Sequence, residues 1–323
     1  MPQPRVSFAA LPTPCEPADR LGAAIGLAGG QLLIKRDDLT GLAGGGNKAR
    51  KLELLVGDAL AQGCDTLVTG GGRQSNHVRM TAAAANKVGL RSRVVLASER
   101  PQVANGNVLL DELLRPEIVW AGPLDYYPLE ERIELEAERL REEGRRPYVL
   151  PIGGASPVGA LGYVHCANEL REQVPDLGLV VVADGSGGTH AGLAAGFGDH
   201  SLVLGVDVGT RPDLDESVPA MAAQVASLDG RVAPSGVAQI DHDSFGAGYG
   251  APSVAAREAL DLAATTEGLL LDPVYTGKGL VGLLAAVRAG RVGDRRTVFI
   301  HTGGLPALFA PKYAAWVREP AGG

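Results

Sequence analysis

The chain has 323 residues, 45% hydrophobic and 21% charged, with a formal net charge of −7 and an isoelectric point near 5.4. That length suits two compact domains or one large one, and the acidic balance argues against nucleic acid or an anionic membrane as partner. Three cysteines, Cys15, Cys64 and Cys166, without CxxC spacing support neither a disulfide framework nor a thiolate zinc site. The chain lacks an apolar run of membrane-spanning length and a secretory signal, so the expectation is a cytoplasmic protein.

Residues 1–30 carry Pro12, Pro14 and Pro17 and then an apolar stretch, which predicts an extended arm and a small helix over Leu21–Leu27. Gln31–Ile34 reads as a strand. The run Lys35-Arg36-Asp37-Asp38 after it is either a solvated turn or a buried ion-pair cluster. Gly44-Gly45-Gly46-Asn47-Lys48 then leads into Lys48–Leu60, a stretch of helix-forming residues. Asn47 is a good N-cap residue. Lys48 stands at a helix N-terminus, where the macrodipole disfavours an ammonium, so it is a candidate nucleophile towards a carbonyl. The alternative is a surface lysine after a glycine turn.

From there strands and helices alternate. Strands are predicted at Thr66–Thr69, Arg93–Ala97, Glu117–Ala121 and Tyr148–Ile152, with helices at His77–Val88, Asn107–Leu114 and Pro128–Glu143 between them. The pattern restarts with a helix over Val158–Val174, an apolar strand at Leu179–Ala183 and a helix at His190–Gly196. Further strands are expected at Leu202–Val208, Leu269–Leu271 and Thr297–His301, and helices at Val254–Thr266 and Gly279–Ala289. Such alternation argues for parallel sheets covered on both faces. Residues 211–245 give no clear pattern.

Three loops carry candidate chemistry. Gly70-Gly71-Gly72-Arg73-Gln74-Ser75-Asn76-His77 joins a strand to a helix whose free amides suit a carboxylate or phosphate. Ser75 and Asn76 as simple helix caps are the alternative. Asp184-Gly185-Ser186-Gly187-Gly188-Thr189 follows the most apolar strand, where open α/β sheets bind ligands. Its small residues suit a phosphate, and it lacks the lysine of GxxxxGK[ST] and the spacing of a dinucleotide fingerprint. Asp272-Pro273-Val274-Tyr275-Thr276-Gly277-Lys278 offers Tyr275 as a surface for a flat ring, or as a half-buried core tyrosine. Thr302, after the last strand, could bond a heterocyclic nitrogen. The six histidines show no HxxxH or HxxE spacing, so no metal site is expected.

These segments, in this order, resemble the pyridoxal-phosphate enzymes of the tryptophan-synthase-β-like fold (fold type II). Within them the chain is most similar to the D-cysteine desulfhydrase and 1-aminocyclopropane-1-carboxylate deaminase family. The matching stretches are 35–38, 45–53, 71–79, 187–192, 249–252, 272–278 and 301–304. The resemblance implies pyridoxal 5'-phosphate as cofactor, Lys48 as its Schiff-base lysine, and Asn47 on its phenolic oxygen. It implies Ser186, Gly187, Gly188 and Thr189 around its phosphate, Tyr275 against its ring and Thr302 facing its nitrogen. Ser75, Asn76, His77 and Thr276 would form the substrate side, with Lys48, Ser75 and Tyr275 catalytic. It also implies a small amino-acid substrate, a homodimer, and a smaller domain, 50–155, inserted into a larger one made of 1–49 and 156–323.

The deaminases are similar but carry Glu after the matching Tyr and Leu after the matching His, where this chain has Thr276 and Thr302, and tend to have Gln in place of His77. That favours a β-eliminating lyase, D-cysteine to pyruvate, ammonia and hydrogen sulfide. Alternatives are the deaminase reaction, an L-cysteate sulfo-lyase, a biosynthetic C–S lyase, a pyridoxal-phosphate-binding protein without turnover, and a nucleotide-binding protein. Departures from the pattern are Arg115-Pro116, where relatives often have Gly-Ala, a short Phe197–Ser201 segment, and residues 211–245.

Overall fold

The structure is a computed structural model that describes residues 3–318. In chain order the elements are β1 (Cys15–Pro17), α1 (Asp19–Ile25), β2 (Leu32–Lys35), α2 (Lys48–Ala61), β3 (Thr66–Gly71), α3 (Asn76–Val88), β4 (Arg91–Leu96), α4 (Gly106–Leu114), β5 (Glu117–Trp120), α5 (Tyr126–Glu142) and β6 (Pro147–Val149). They continue with α6 (Pro157–Gln173), β7 (Leu177–Asp184), α7 (Gly188–Phe197), β8 (Val203–Asp207), α8 (Leu214–Leu228), β9 (Gln239–Asp241), α9 (Val254–Glu267), α10 (Thr276–Arg288), β10 (Arg296–Ile300) and α11 (Pro311–Arg318).

Two sheets result. One has four strands in the order β5-β4-β3-β6, all parallel. The other has six in the order β1-β2-β10-β7-β8-β9, parallel except for β1, which runs antiparallel to β2 at the edge. The four-stranded sheet is built from one continuous stretch, and the six-stranded sheet takes strands from both sides of it. Central β7 reads Leu-Gly-Leu-Val-Val-Val-Ala-Asp and is buried along nearly its whole length, as expected for a parallel strand covered on both faces. Val181 packs with Leu280 and Phe299 on one face, and Val180 and Val182 with Tyr163 and Leu193 on the other.

Helix α7 is buried all round, between α6 and α8. Its fit against α6 depends on Gly192, where a Cβ would lie 2.2 Å from the Ala160 carbonyl oxygen. Arg115 ends α4 with φ 59°, in the left-handed conformation that glycine adopts most easily. This is the position where the family resemblance leads one to expect Gly.

The charged run resolves into a buried cluster. Lys35 and Asp37 are fully buried, while Arg36 and Asp38 keep partial exposure and pair with each other. Lys35 Nζ donates to Glu169 Oε2 at 2.7 Å, to Gln173 Oε1 and to the Thr13 carbonyl. Arg50 forks onto Asp37 at 2.9 Å and also reaches Glu169, and Tyr163 Oη donates to Asp37 Oδ2 at 2.6 Å. The cluster ties the N-terminal arm and β2 to α2 and α6, two residues from Lys48.

Two expectations are corrected. Leu269–Leu271 is not a strand: Leu269 and Leu271 are buried and Leu270 is 56% exposed, but the segment pairs with no strand, and β9 forms the sheet edge next to β8. Residues 211–245 hold the whole of helix α8, whose internal Pro219 obscures its pattern, and strand β9.

Candidate active site

The carboxyl ends of β3, β7, β8 and β10 converge on a cavity of about 330 Å³. Ligands of open α/β sheets bind at this end of the strands. Lys48 enters the cavity from the first turn of α2, half-buried. Burial pushes its ammonium down to about 8, against Asp184, which favours the charged form. Desolvation thus lowers the value at the same helix N-terminus where the sequence placed this lysine.

Asn47 departs from the cap expectation. Its backbone is already helical (φ −57°, ψ −24°), its amide donates to the Thr302 carbonyl at 3.0 Å, and its side chain makes no cap bond. A residue in that conformation directs its side chain away from the N2 and N3 amides, and Asn47 Nδ2 instead reaches Thr189 Oγ1 at 3.2 Å across the cavity.

Opposite Lys48 stands the start of α7. Gly187 holds φ 84°, and its amide donates to Asp184 Oδ1 at 3.0 Å. That bond and the one between Asp184 Oδ2 and His190 Nδ1, 2.8 Å, brace the loop from behind. Ser186, Gly187 and Thr189 line the cavity, whereas Gly188 lies behind them against Lys51. The amides at the head of this helix have no intrahelical acceptor.

On the other wall Ser75 does cap α3, its Oγ accepting from the Val78 amide at 3.3 Å, and it lines the cavity as well. That serine therefore caps the helix and faces the cavity at once. Asn76 and His77 line the same wall. Thr69 Oγ1 donates to the Leu150 carbonyl at 2.8 Å, so His77 Nε2, 3.0 Å away, is the donor to that hydroxyl. Burial first, then the charges of Lys48 and Lys51, hold His77 well below its ordinary pKa, and the ring is neutral.

Tyr275 sits at the foot of α10, half-buried, its Cε1 beside Gly185. Its Oη lies 2.8 Å from Tyr249 Oη, and burial raises both phenols above their ordinary value. Thr302 lines the cavity floor.

Thr276 does not lie where the resemblance puts it. It is fully buried and outside the cavity lining. Its hydroxyl donates to Asp272 Oδ1 at 2.7 Å and accepts from the Asp272 amide at 2.7 Å. Asp272 also receives the amides of Val274, Tyr275 and Thr276, so the start of α10 folds back onto this carboxylate and draws Thr276 with it.

Sequence reasoning did not single out several residues of the site. Lys51, one turn after Lys48, is fully buried and donates to the Gly153 carbonyl at 3.2 Å. Burial and the charge of Lys48 hold its pKa well below the ordinary value, and among the described residues it has no carboxylate partner within ion-pair distance. Its i, i+3 spacing from Lys48 was the available signal. Tyr249 lies in a glycine-rich loop, and Lys278 braces that loop through the Gly248 carbonyl at 2.6 Å. The start of α5 contributes Tyr126 and Leu129 to the cavity mouth, and Arg211 stacks over the Tyr126 ring at 5.4 Å.

Comparison with known proteins then decides the class. The family profile described as pyridoxal-phosphate dependent enzyme matches residues 6–303. The chain belongs to the pyridoxal-phosphate dependent enzyme family. It is 44% identical over 322 residues to the D-cysteine desulfhydrases of Salmonella typhimurium and Salmonella paratyphi B, covering 95% of this chain and 96% of each relative. A solved structure described as an ACC deaminase homologue matches with TM-score 0.89 and 39% identity, over 98% of this chain and 95% of that one. A threonine deaminase from Solanum lycopersicum, at 17% identity, TM-score 0.67 and 96% and 83% coverage, shares the fold.

The residues present fit that cofactor. Gly153, at φ 68°, leaves open a space that a Cβ would fill, 2.4 Å from Ser186 Oγ and 3.4 Å from Lys48 Nζ. The amides at the head of α7, with the Lys51 amine buried behind Gly188, form a polar cup suited to a phosphate, and the Tyr275 ring offers a flat wall. Among the described residues no cluster of His, Cys, Asp or Glu is arranged to hold a metal ion, and no helix is long and apolar enough to cross a membrane.

Proposed function

We propose that this enzyme is a β-eliminating lyase that converts D-cysteine to pyruvate, ammonia and hydrogen sulfide. The observation that carries the reading is one cavity in which Lys48, with its lowered pKa, faces an α7 anion cup, while Ser75, Asn76 and the paired phenols of Tyr249 and Tyr275 line the remaining walls. The desulfhydrase relatives, matched over nearly the whole chain, support the choice of substrate.

In this reading Lys48 Nζ is the amine that holds the cofactor's aldehyde, with Ser186, Gly187, Thr189 and Lys51 at its phosphate and Asn47 and Thr302 at its ring. When bound, pyridoxal phosphate supplies an electron sink for the pair left on the substrate's Cα. Amides at the head of α3 and the Ser75 hydroxyl bind the substrate carboxylate. Lys48 Nζ, displaced by the substrate amine, takes the Cα proton; a pKa near 8 leaves a useful fraction as free base near neutrality. The C–S bond breaks with its electron pair on sulfur, next to the Tyr249 and Tyr275 phenols, which protonate or hydrogen-bond the departing thiolate. Released 2-aminoacrylate takes up water to give pyruvate and ammonia.

With Thr276 turned away, Thr302 is the hydroxyl left to face the ring nitrogen. A hydroxyl there, unlike a carboxylate, does not favour a pyridinium, which suits elimination of a good leaving group. The matched ACC deaminase homologue keeps cyclopropane opening as the second reading. The domain division 50–155 within 1–49 and 156–323 belongs to the same proposal, with closure at Tyr126 and Arg211 excluding water.

A homodimer is proposed as well. Leu109 and Leu113 of α4 are 54% and 77% exposed, and Phe309, on the segment packed beside α4, is 67% exposed, an apolar face suited to a second copy. Three free cysteines fit a reducing, cytoplasmic setting.

The test is a panel of D- and L-β-substituted alanines and 1-aminocyclopropane-1-carboxylate, assayed for pyruvate and 2-oxobutanoate. Pyruvate from D-cysteine and β-chloro-D-alanine is expected. Faster turnover of the cyclopropane substrate than of any β-substituted alanine would overturn the reading.

A further inference from the structure

Tyr249 stands in a loop with much conformational freedom to lose. Between β9 and α9 the chain runs Gly246-Ala247-Gly248-Tyr249-Gly250, and all three glycines have positive φ, Gly248 at 127°. Two anchors fix this stretch. The Gly248 carbonyl accepts from Lys278 Nζ at 2.6 Å. The Gly250 carbonyl accepts from Tyr313 Oη at 2.7 Å and from Lys312 Nζ at 2.9 Å. Tyr249 is the residue between the two clamped carbonyls.

Lys278 is fully buried in the first turn of α10. Burial brings its ammonium down to about 8, opposed by the charges of Asp207 and Asp272. Both of those carboxylates are committed elsewhere. Asp207 accepts from the Gly209 amide at 2.6 Å and meets His242 Nδ1 at 3.0 Å, and Asp272 receives the amides of Val274, Tyr275 and Thr276. Lys278 therefore spends its hydrogen bonds on main-chain carbonyls, Gly248 closely and Val208 at 3.5 Å. Burying a cation for the sake of a loop carbonyl is costly, and what the expense fixes is the main chain beside Tyr249.

The same helix end carries the other phenol. Tyr275 immediately precedes α10, three residues before Lys278. One helix start thus presents Tyr275 directly and holds, through Lys278, the backbone that presents Tyr249. The outcome is the 2.8 Å contact between the two hydroxyls, with ring centroids 6.0 Å apart and planes at 64°. Close packing completes the fit: a Cβ on Gly72 would lie 3.1 Å from Tyr249 Cε1, and one on Gly209 3.0 Å from Tyr249 N. Gly72 follows β3 and Gly209 follows β8, so Tyr249 packs against loops of both sheets.

We propose that Lys278 is a positioning residue for bond cleavage: by holding the Gly248 carbonyl it places the Tyr249 phenol against that of Tyr275, where the leaving group departs. The inference rests on the reading above in which these phenols receive the departing thiolate.

The test uses purified holoenzyme of the wild type, Lys278→Met, Tyr249→Phe and the double variant. Methionine keeps an unbranched stem, removes the donor and spares the fold a buried charge. A crystal structure of Lys278→Met should show Tyr249 Oη beyond hydrogen-bond distance of Tyr275 Oη, and a retained contact would overturn the proposal. Turnover is read as a ratio between two substrates. A thiolate leaves best with a proton and a chloride needs none, so Lys278→Met should lower kcat for D-cysteine about a hundredfold, the low end of what a placed proton donor contributes, and kcat for β-chloro-D-alanine within about threefold. KM for D-cysteine should change less than kcat. Tyr249→Phe removes the same donor, so the double variant should show no larger fall in the ratio than Tyr249→Phe alone. Equal losses with both substrates, or effects of the two substitutions that add in full, would make Lys278 a merely structural clamp and overturn the proposal. If Lys278→Met gives no soluble holoenzyme, Lys278→Gln takes its place and is read in the same way. A wild type that yields no pyruvate from D-cysteine counts against the proposed function alone, and the crystal structure of the variant then decides the placement of Tyr249.

Discussion

Replacing Asp111 by asparagine gives a pH-dependent test of the buried charges between α3 and α4, where Asp111 and Arg79 are both fully buried. Burial raises the Asp111 carboxyl from 3.8 to about 7, opposed by the Arg79 charge. In the unfolded chain the carboxyl loses its proton near 3.8; in the folded enzyme it keeps it to about pH 7. The native state therefore binds the extra proton between these values. Its stability is highest below the lower value, falls as pH rises through the interval and levels off above about 7. The whole interval corresponds to about 4 kcal/mol, and the part between about pH 5.5 and pH 7 to about 2 kcal/mol. Asp111→Asn keeps the shape and removes the titration. Thermal melts of wild type and variant at about pH 5.5 and about pH 8.5 should then differ: the variant gains about 2 kcal/mol relative to wild type at the higher pH, a shift of a few degrees for a chain of this size. Arg79 keeps its bonds to the Gly45 carbonyl, Asn76 Oδ1 and Asn107 Oδ1 in the variant. A difference between the two proteins that is the same at both pH values, or that grows against the variant as pH rises, would refute the reasoning.

Three further outcomes follow from the site. Borohydride reduction should fix the cofactor to Lys48, and peptide mapping that finds it on Lys51 would reverse the roles of the two lysines. Gly187→Val places a β-branched residue at φ 84° with its Cβ 3.1 Å from Val218 Cγ2. The left-handed strain is about 1–2 kcal/mol, and the variant should copurify with much less pyridoxal phosphate while remaining folded; undiminished occupancy would place the phosphate elsewhere. Thr276→Val removes the bonds to Asp272 and should cost about 1–3 kcal/mol of stability. It should leave the ratio of pyruvate to 2-oxobutanoate unchanged, and a shifted ratio would mean that Thr276 reaches the reacting groups after all.

What could be read from the chain separates by the range of the interactions involved. Gly-Asn-Lys before a helix-forming stretch is a local signal, and it places Lys48 at the first residue of α2 without any tertiary information. The continuous apolar run of β7 and the glycine turn behind it are equally local, and the cup formed by Ser186, Gly187 and Thr189 follows from them. Leu269–Leu271 has the composition of a strand, but strand character is a matter of pairing, and β9 occupies the edge beside β8.

Asn47 and Thr276 fail for a related reason. Each was expected in one place, Asn47 as a cap and Thr276 on the substrate side, and is held by other partners: Thr302 and Thr189 for Asn47, Asp272 for Thr276. Lys51 and Arg79 are the clearest cases of long-range meaning. Lys51 becomes part of the cup only when Gly153 and Gly188 are folded against it, more than 100 residues along the chain. Arg79 finds its acceptors in Gly45 and Asn107, 34 residues before it and 28 after it. A helix pattern shows that such side chains share a face with Lys48 or Asn76. It does not show that the glycine loops of two sheets will fold against them.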